Sequence, residues 1–121
     1  MKICITSQND NLSAEVDPRF GRCNFFIIAD SETGDFEAIP NPNRESMGGA
    51  GIQSAQLAID KGAKAVLTGN VGPNAYRALK AADINVIIGV AGSVEEVIGN
   101  YRQGNFKETD GPSVDSKFGM R

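Results

Sequence analysis

The sequence predicts a single α/β domain, in which about three helices cover a mixed sheet of five short strands. Three observations support this fold class. Short apolar runs alternate with amphipathic segments, glycine- and proline-rich stretches separate the two, and 121 residues with 40% hydrophobic content suit one core. The pattern contains no internal repeat and predicts no second globular domain.

Five segments have the composition of strands. Residues 25–29 and 36–39 flank a turn sequence at 31–34, which predicts an antiparallel hairpin. The other three segments are apolar runs of the kind found in buried strands: residues 2–6, 65–67 and 85–88.

Three segments have helical periodicity, each with a signal at one end. The first helix ends at a C-cap glycine in Lys61-Gly62, and its predicted inner face is Ile52, Ala55, Ala58 and Ile59. The second begins at Pro73, a residue favoured at the first helical position, and its apolar face is Ala75, Ala78, Leu79 and Ala82. The third begins with a capping box of Ser93 and Glu96, followed by the apolar stripe Val94, Val97, Ile98 and Tyr101.

The order of the elements predicts that four connections meet at one end of the sheet. If the first strand runs up, the hairpin strands run down and then up, and each helix leads into another rising strand. Right-handed crossovers give the order 3-2-1-4-5 with strand 2 antiparallel. Because the chain leaves strand 1 in opposite directions on its two sides, a ligand site is expected at the carboxyl ends of strands 1 and 4.

Positive charge and hydrogen-bond donors are predicted at this end. Arg19 and Arg22 lie in the segment D-P-R-F-G-R, and guanidinium groups suit a carboxylate or another multi-oxygen anion. The loop before Pro73 directs unpaired helix N–H groups to the same end, and its candidate contacts are Gly69, Asn70, Gly72 and Asn74. The loop before the first helix adds Gly48 and Gly49.

Each of these groups also has a purely structural interpretation. Asp17 can pair with one arginine to hold the shape of the turn, and Asn70 and Asn74 can cap backbone groups. The glycine loop can be an ordinary strand-to-helix turn, because it lacks the residues of a P-loop and of a dinucleotide fingerprint. The residues alone leave both interpretations open.

Cys23 is the candidate metal ligand beside the arginines. The charge of Arg22 would lower the pKa of this thiol and favour the thiolate that binds metal, although a buried, inert thiol is the more common state of such a cysteine. Cys4, in the middle of the first strand, is predicted to be a core residue. Met47 offers a soft thioether in the loop before the first helix.

Composition argues against several functional classes. A formal charge of −3 and a pI near 4.9 disfavour a nucleic-acid or anionic-membrane surface. The chain has no histidine, and Thr6 and Ser7 end the first strand where a two-metal nuclease would carry an aspartate. We therefore predict no catalytic function and keep a nuclease-like enzyme only as a disfavoured alternative. With no signal segment or membrane span, the protein is expected to be cytoplasmic, with reduced cysteines.

Four segments together resemble one known family. They are M-K-I-C-I-T-S at the start, D-P-R-F-G-R-C-N-F-F-I-I-A-D at 17–30, G-G-A-G-I-Q-S-A at 48–55 and T-G-N-V-G-P-N-A-Y-R-A-L at 68–79. This combination is similar to the dinitrogenase iron-molybdenum cofactor biosynthesis family of small nitrogenase accessory and carrier domains. The resemblance covers residues 1–104 and leaves 105–121 as a tail, which we expect to be mobile or loosely docked.

The resemblance implies a ribonuclease-H-like three-layer α/β fold and a non-catalytic role. Characterised members bind the iron-molybdenum cofactor or its iron–sulfur precursor and pass it on, so cluster donor or acceptor proteins are the implied partners. Such a cluster is anionic, and Arg19, Arg22, Cys23 and the loop amides are chemically suited to it. The alternative is a binding module for a small phosphorylated or carboxylated metabolite, in which Cys23 has no role.

Overall fold

The computed structural model describes residues 1–45, 48–109 and 111–112 of the chain. The strands form one sheet and are β1 (Lys2–Ser7), β2 (Phe25–Asp30), β3 (Phe36–Pro40), β4 (Ala65–Leu67) and β5 (Asn85–Ile87). The helices are α1 (Ala50–Asp60), α2 (Pro73–Ala81) and α3 (Val94–Arg102). Each predicted strand and helix is present, with small shifts at its ends. Among the helices of this described part, none combines the length and apolar composition of a membrane span.

The sheet has the predicted strand order, β3-β2-β1-β4-β5. Strand β2 is antiparallel to both of its neighbours, whereas β4 runs parallel to β1 and to β5. The carboxyl ends of β1, β3, β4 and β5 therefore lie at one edge together with the start of β2. This edge is referred to below as the upper edge, and the connections that follow these four strands all begin there, as predicted.

Helices on both faces of the sheet make three layers. On one face, α1 and α2 pack over a core that includes Phe26 and Val66. On the other face, α3 packs over a core that includes Ile5 and Leu67. Because the central strands are covered on both sides, their sequences are nearly continuous apolar runs rather than alternating ones.

The buried face of α1 differs from the predicted one. Ile52 is 49% exposed, and the buried positions of this helix are Ala50, Ser54, Ala55 and Ala58. Small residues let α1 approach α2 closely: a Cβ added to Gly51 would lie 3.3 Å from the Cβ of Ala75. The prediction of Ile52 as a core residue is wrong because close helix packing selects side chains by size, which hydrophobic periodicity does not consider. Ala82 is also off its predicted face, since it is the exposed C-cap of α2.

The predicted helix-end signals are confirmed. Pro73 is the first residue of α2, and Gly62 follows α1 with a φ of 77°, a left-handed conformation that favours glycine. Ser93 and Glu96 make both hydrogen bonds of the capping box of α3. These residues define where α1 ends and where α2 and α3 begin.

The residues that follow α3 dock on the β5 side of the sheet. The Thr109 N–H donates to the carbonyl of Val86 in β5 at 2.7 Å, and Lys80 of α2 pairs with Glu108 at 2.6 Å. Phe106 is half-buried against the core beneath α3. The predicted tail runs to residue 121, and its residues 110 and 113–121 lie outside the described part of the chain.

Candidate functional site

The arginine-bearing turn lies directly against the loop that follows β4. The Asn70 N–H donates to the Pro18 carbonyl at 2.8 Å, and the Phe20 N–H donates to the Asn70 carbonyl at 3.3 Å, so that Arg19 and Asn70 form a parallel bridge. A Cβ added to Gly69 would lie 2.6 Å from the Cα of Pro18, a distance that only glycine permits. The structure thus brings the Arg19 turn and the 69–72 loop together at the upper edge, where the topology predicts them.

The same turn also contacts the start of α1. A Cβ added to Gly21 would lie 2.9 Å from the nitrogen of Gly51, and Gly51 is itself close to Ala75 in α2. Residues 18–21 therefore connect the N-termini of α1 and α2. Of the two glycines predicted before α1, Gly49 is the N-cap of the helix and Gly48 is exposed.

Among the described residues, no side chain caps the N-terminus of α1 or of α2. Their N-cap residues are Gly49 and Gly72, and neither helix has an acidic residue in its first turn. Helix α3 differs in both respects, because Ser93 caps it and Glu95 and Glu96 lie in its first turn. First-turn N–H groups have no acceptor within their own helix, so α1 and α2 present amide donors and partial positive charge at the upper edge.

Arg19 is held by a buried carboxylate. Asp17 is 2% exposed, and its Oδ1 accepts hydrogen bonds from the Arg19 N–H at 3.1 Å and from the Arg19 Nε at 3.3 Å. The side chain of Arg19 is 42% exposed, and its Nη groups have no partner in the described part of the chain. The Asp17–Arg19 pair is thus present, and it leaves the ends of the guanidinium accessible.

Two arginines that were not predicted, Arg44 and Arg77, lie near the predicted pair. Arg44 is in the loop before α1, and its carbonyl accepts a hydrogen bond from Nη1 of Arg22 at 2.8 Å. Arg77, one helical turn after Asn74, donates to the Asn74 side chain at the start of α2. Sequence analysis did not predict Arg77. Side chains in a helix point back toward its N-terminus, so an arginine one turn into α2 could have been expected to reach the start of the helix.

Cys23 is a buried thiol. Its side chain is fully buried, and its Sγ donates to the Phe20 carbonyl at 3.6 Å and lies 3.9 Å from the Asn41 Nδ2. Burial raises the pKa of Cys23 well above its ordinary value, which confirms the buried thiol and contradicts a lowering of that pKa by Arg22. Loss of hydration disfavours the charged thiolate and is the largest cause of this shift. Cys4 is a core residue as predicted, and burial raises its pKa to about 12.

The site offers hydrogen-bond donors rather than grouped metal ligands. Within the described ranges, no three His, Cys, Asp or Glu side chains come close enough together to hold a metal ion. The role of Cys23 as a metal ligand stays a prediction, and Met47 lies outside the described residues. Backbone amides and guanidinium groups bind anions through hydrogen bonds and charge, which is the chemistry that this arrangement can perform.

Comparison with known proteins identifies the family. The family model described as dinitrogenase iron-molybdenum cofactor matches residues 1–104. The apo form of the orange protein from Desulfovibrio gigas is 35% identical, with a TM-score of 0.90 over 93% of this chain and 96% of that one. A NifB-like protein from Thermotoga is 33% identical, with a TM-score of 0.80 over 93% and 97% of the two chains.

A relative in the archaeon Methanocaldococcus jannaschii extends the comparison at the level of sequence. This uncharacterized protein is 35% identical over 111 residues, which are 89% of this chain and 91% of the relative. The matches to all three proteins span nearly the whole of both partners, so they are not confined to one motif. The chain belongs to the dinitrogenase iron-molybdenum cofactor family.

Proposed function

We propose that this protein is a non-catalytic carrier of a preassembled, anionic metal–sulfur cluster of the iron-molybdenum or iron–sulfur type. The observation that carries the proposal is the meeting of two uncapped helix N-termini with the arginine turn at the upper edge. Membership of the family supports the class of cargo. The two free cysteines suit a reducing compartment, and we propose the cytoplasm.

The proposed contacts suit the outer surface of such a cluster. Sulfide and carboxylate groups on the cluster accept hydrogen bonds from backbone amides and from guanidinium groups. Glycine in both loops lets the backbone approach a bulky anion closely. The proposed binding residues are Arg19, Arg22, Gly48, Gly49, Gly69, Asn70, Gly72 and Asn74, with Cys23 as the proposed metal ligand.

Cys23 differs from the other proposed contacts because its thiol is buried. To bond a metal, its thiol would have to leave its contacts with Phe20 and Asn41 and lose a proton whose pKa is raised by burial. Hydrogen bonds and charge require no such rearrangement. We therefore expect the arginines and amides to supply most of the affinity, and the bond from Cys23 to the metal to form after the cluster has docked.

Anaerobic titration with a synthetic cluster tests the proposal. A suitable probe is Fe4S4(SCH2CH2OH)4, an iron–sulfur dianion that absorbs visible light and brings its own thiolate ligands. The wild-type protein should retain the visible band through gel filtration. The Arg19→Ala/Arg22→Ala variant should bind at least about tenfold more weakly, because each charge-assisted hydrogen bond contributes about 1.5–3 kcal/mol. Arg102→Ala, which removes one arginine that is bonded to Ser31 at the opposite edge, is the control.

Two cysteine variants complete the test. Cys23→Ala should retain the band if hydrogen bonds and charge hold the cluster, and should lose it if a thiolate bond is required. Unchanged affinity in an Arg22→Ala/Cys23→Ala variant, or equal affinity in the double arginine variant and the Arg102→Ala control, would contradict this site.

A small anionic metabolite is the second candidate ligand. It is favoured by the same donor set, in which the thiols are buried and, among the described residues, no group of metal ligands occurs. A thermal-shift screen with metal-free phosphorylated and carboxylated metabolites separates the two functions. Stabilisation by such a compound in the wild type, and its loss in Arg19→Ala/Arg22→Ala, would favour the metabolite.

A further inference from the structure

We infer that Asp17 is a positioning residue of the anion site, whose buried carboxylate orients Arg19 so that the terminal Nη groups face the bound anion. The inference rests on the proposed function and deepens it. The Asp17–Arg19 pair then prepares Arg19 to bind the ligand and does not compete with ligand binding.

Asp17 is anchored more firmly than an ordinary turn residue. Its N–H donates to the Thr6 carbonyl at 2.9 Å, and its own carbonyl accepts from the Thr6 hydroxyl at 2.6 Å. The Thr6 hydroxyl is also 2.8 Å from that of Thr68, so the network joins the end of β1 to the residue after β4. Asp17 therefore has a defined position at the carboxyl ends of the two strands between which the site is expected.

Among the described residues, the backbone and the Nε of Arg19 have partners, whereas its Nη groups have none. Its backbone is bridged to Asn70, and its Nε donates to Asp17. A guanidinium group has five N–H donors, of which Nε carries one, so both Nη groups keep theirs for a ligand. The Asp17 side chain is only 3% exposed and that of Arg19 is 42% exposed, so one end of the pair is buried and the other faces solvent. A guanidinium held in this way loses little freedom when it binds an anion.

The charge of Asp17 makes the inference testable. A carboxylate beside an anion site lowers the positive potential there, so on electrostatic grounds alone Asp17 should weaken binding. A positioning role predicts the opposite, because the orientation of Arg19 would then contribute more than the charge of Asp17 removes. The two interpretations therefore differ in the sign of a single substitution.

The experiment measures binding of the Fe4S4(SCH2CH2OH)4 dianion to Asp17→Asn, Arg19→Ala and the double variant under anaerobic conditions. Asn keeps the shape of Asp and one acceptor but removes the charge. We expect Asp17→Asn to bind about fivefold or more weakly than the wild type, and the double variant to bind no more weakly than Arg19→Ala, because both changes remove one interaction. Affinity of Asp17→Asn equal to or above that of the wild type would overturn the inference.

Arg19→Lys provides a second, independent measurement if Asp17→Asn does not fold. Lysine keeps the positive charge, but its single ammonium would pair with Asp17 and leave no second group for the anion. The inference expects Arg19→Lys to bind as weakly as Arg19→Ala, and wild-type affinity in Arg19→Lys would overturn it. Failure of the proposed function looks different, since then the wild type does not bind the cluster or Arg19→Ala/Arg22→Ala binds it as well as Arg102→Ala does.

Discussion

Gly69 and Gly21 set the distances between the arginine turn and the two helices beside it. A Cβ on Gly69 would lie 2.6 Å from Pro18, and one on Gly21 would lie 2.9 Å from Gly51. Neither glycine has a positive φ, so space rather than backbone conformation explains the residue type at both positions. The site depends on close approach of backbones, which one methyl group would prevent.

Gly69→Ala should therefore destabilise the protein and weaken cluster binding. The added methyl group must displace the backbone of Pro18, and overpacking of this kind costs about 1–3 kcal/mol. Gly99→Ala is the matched control, because its Cβ would enter open space in α3 and alanine favours a helix interior by about 0.5–1 kcal/mol. Urea unfolding should give free energies that move in opposite directions for the two variants, and a Gly69→Ala protein as stable as the wild type would contradict the close contact.

Sequence reasoning at this scale identified Arg19 and the loop it touches; for Cys23 it gave both a buried thiol, which the structure shows, and a thiolate with a lowered pKa, which it does not. The motif around Arg19 and the glycine loop are local patterns, and topology brings them together without knowledge of side-chain packing. The pKa of Cys23 depends on burial, which comes from Phe20, Asn41 and the core rather than from its neighbour Arg22 in the sequence. A pKa set by tertiary packing cannot be derived from adjacent residues.

At the scale of elements, the N-terminus of α3 has a side-chain cap, whereas those of α1 and α2 have none among the described residues. Helix α3 has a full capping box, and its first residues also bond to the loop after β1: the Val94 N–H donates to Ala14 and the Glu95 N–H to Leu12. Helices α1 and α2 begin at glycine without a side-chain cap. This contrast distinguishes the helices proposed to bind an anion from the one that has structural partners.

A polar N-cap on α2 should stabilise the helix and block the site. Gly72 has a φ of −83° in extended backbone, which other residues adopt, so Gly72→Asp and Gly72→Asn can each accept from the first-turn amides. We expect unfolding free energies a few tenths of a kcal/mol above that of the wild type. Both variants should bind the synthetic cluster more weakly, and Gly72→Asp the more so because it adds a negative charge. Wild-type affinity in both Gly72→Asp and Gly72→Asn would exclude the α2 amides from the site.

Helix ends were predicted more accurately than helix faces. Pro73, Gly62 and the Ser93–Glu96 box are local signals whose physical basis lies within one turn of backbone. The exposed position of Ile52 depends instead on how closely α1 approaches α2, which is a property of two elements. Hydrophobic periodicity describes one helix at a time, so it identified Ala55 and Ala58, which are buried, but wrongly included Ile52.

At the scale of the whole molecule, four arginines and four lysines lie toward different edges of the sheet. The chain has a net charge of −3, yet Arg19, Arg22, Arg44 and Arg77 lie around the upper edge. Four lysines lie toward the other edge, at the starts of strands or the ends of helices: Lys2, Lys61, Lys64 and Lys80. The edge that carries these four arginines is therefore the one with forked donors for a multi-oxygen anion, although the protein as a whole is not basic. The strand order was predictable because short connections and right-handed crossovers leave few alternatives.

Residues 105–109 belong to this whole-molecule architecture, although the family match ends at residue 104. Thr109 adds a backbone hydrogen bond to β5, its carbonyl accepts from the Tyr76 hydroxyl of α2 at 3.4 Å, and Phe106 covers part of the core under α3. The segment therefore bridges the two helical layers across an edge of the sheet. An edge strand without such a cover exposes backbone groups that would otherwise pair.

Truncation after residue 104 should give a less stable protein than truncation after residue 112. The shorter protein loses two backbone hydrogen bonds, from Asn105 to Asn100 and from Thr109 to Val86, each worth about 0.5–1.5 kcal/mol, and the partial burial of Phe106. We therefore expect a loss of about 2–4 kcal/mol in the free energy of unfolding. The exposed Lys80–Glu108 pair should add little, and the difference should persist at high salt because apolar contact and backbone hydrogen bonding are not screened. Urea unfolding of the 1–104 and 1–112 proteins measures the difference. Cluster affinity should be equal in these two proteins, since residues 105–109 bond to Tyr76, Lys80 and Val86 and to none of the proposed binding residues. Equal stability of the two truncated proteins would show that the docked segment does not contribute to the fold.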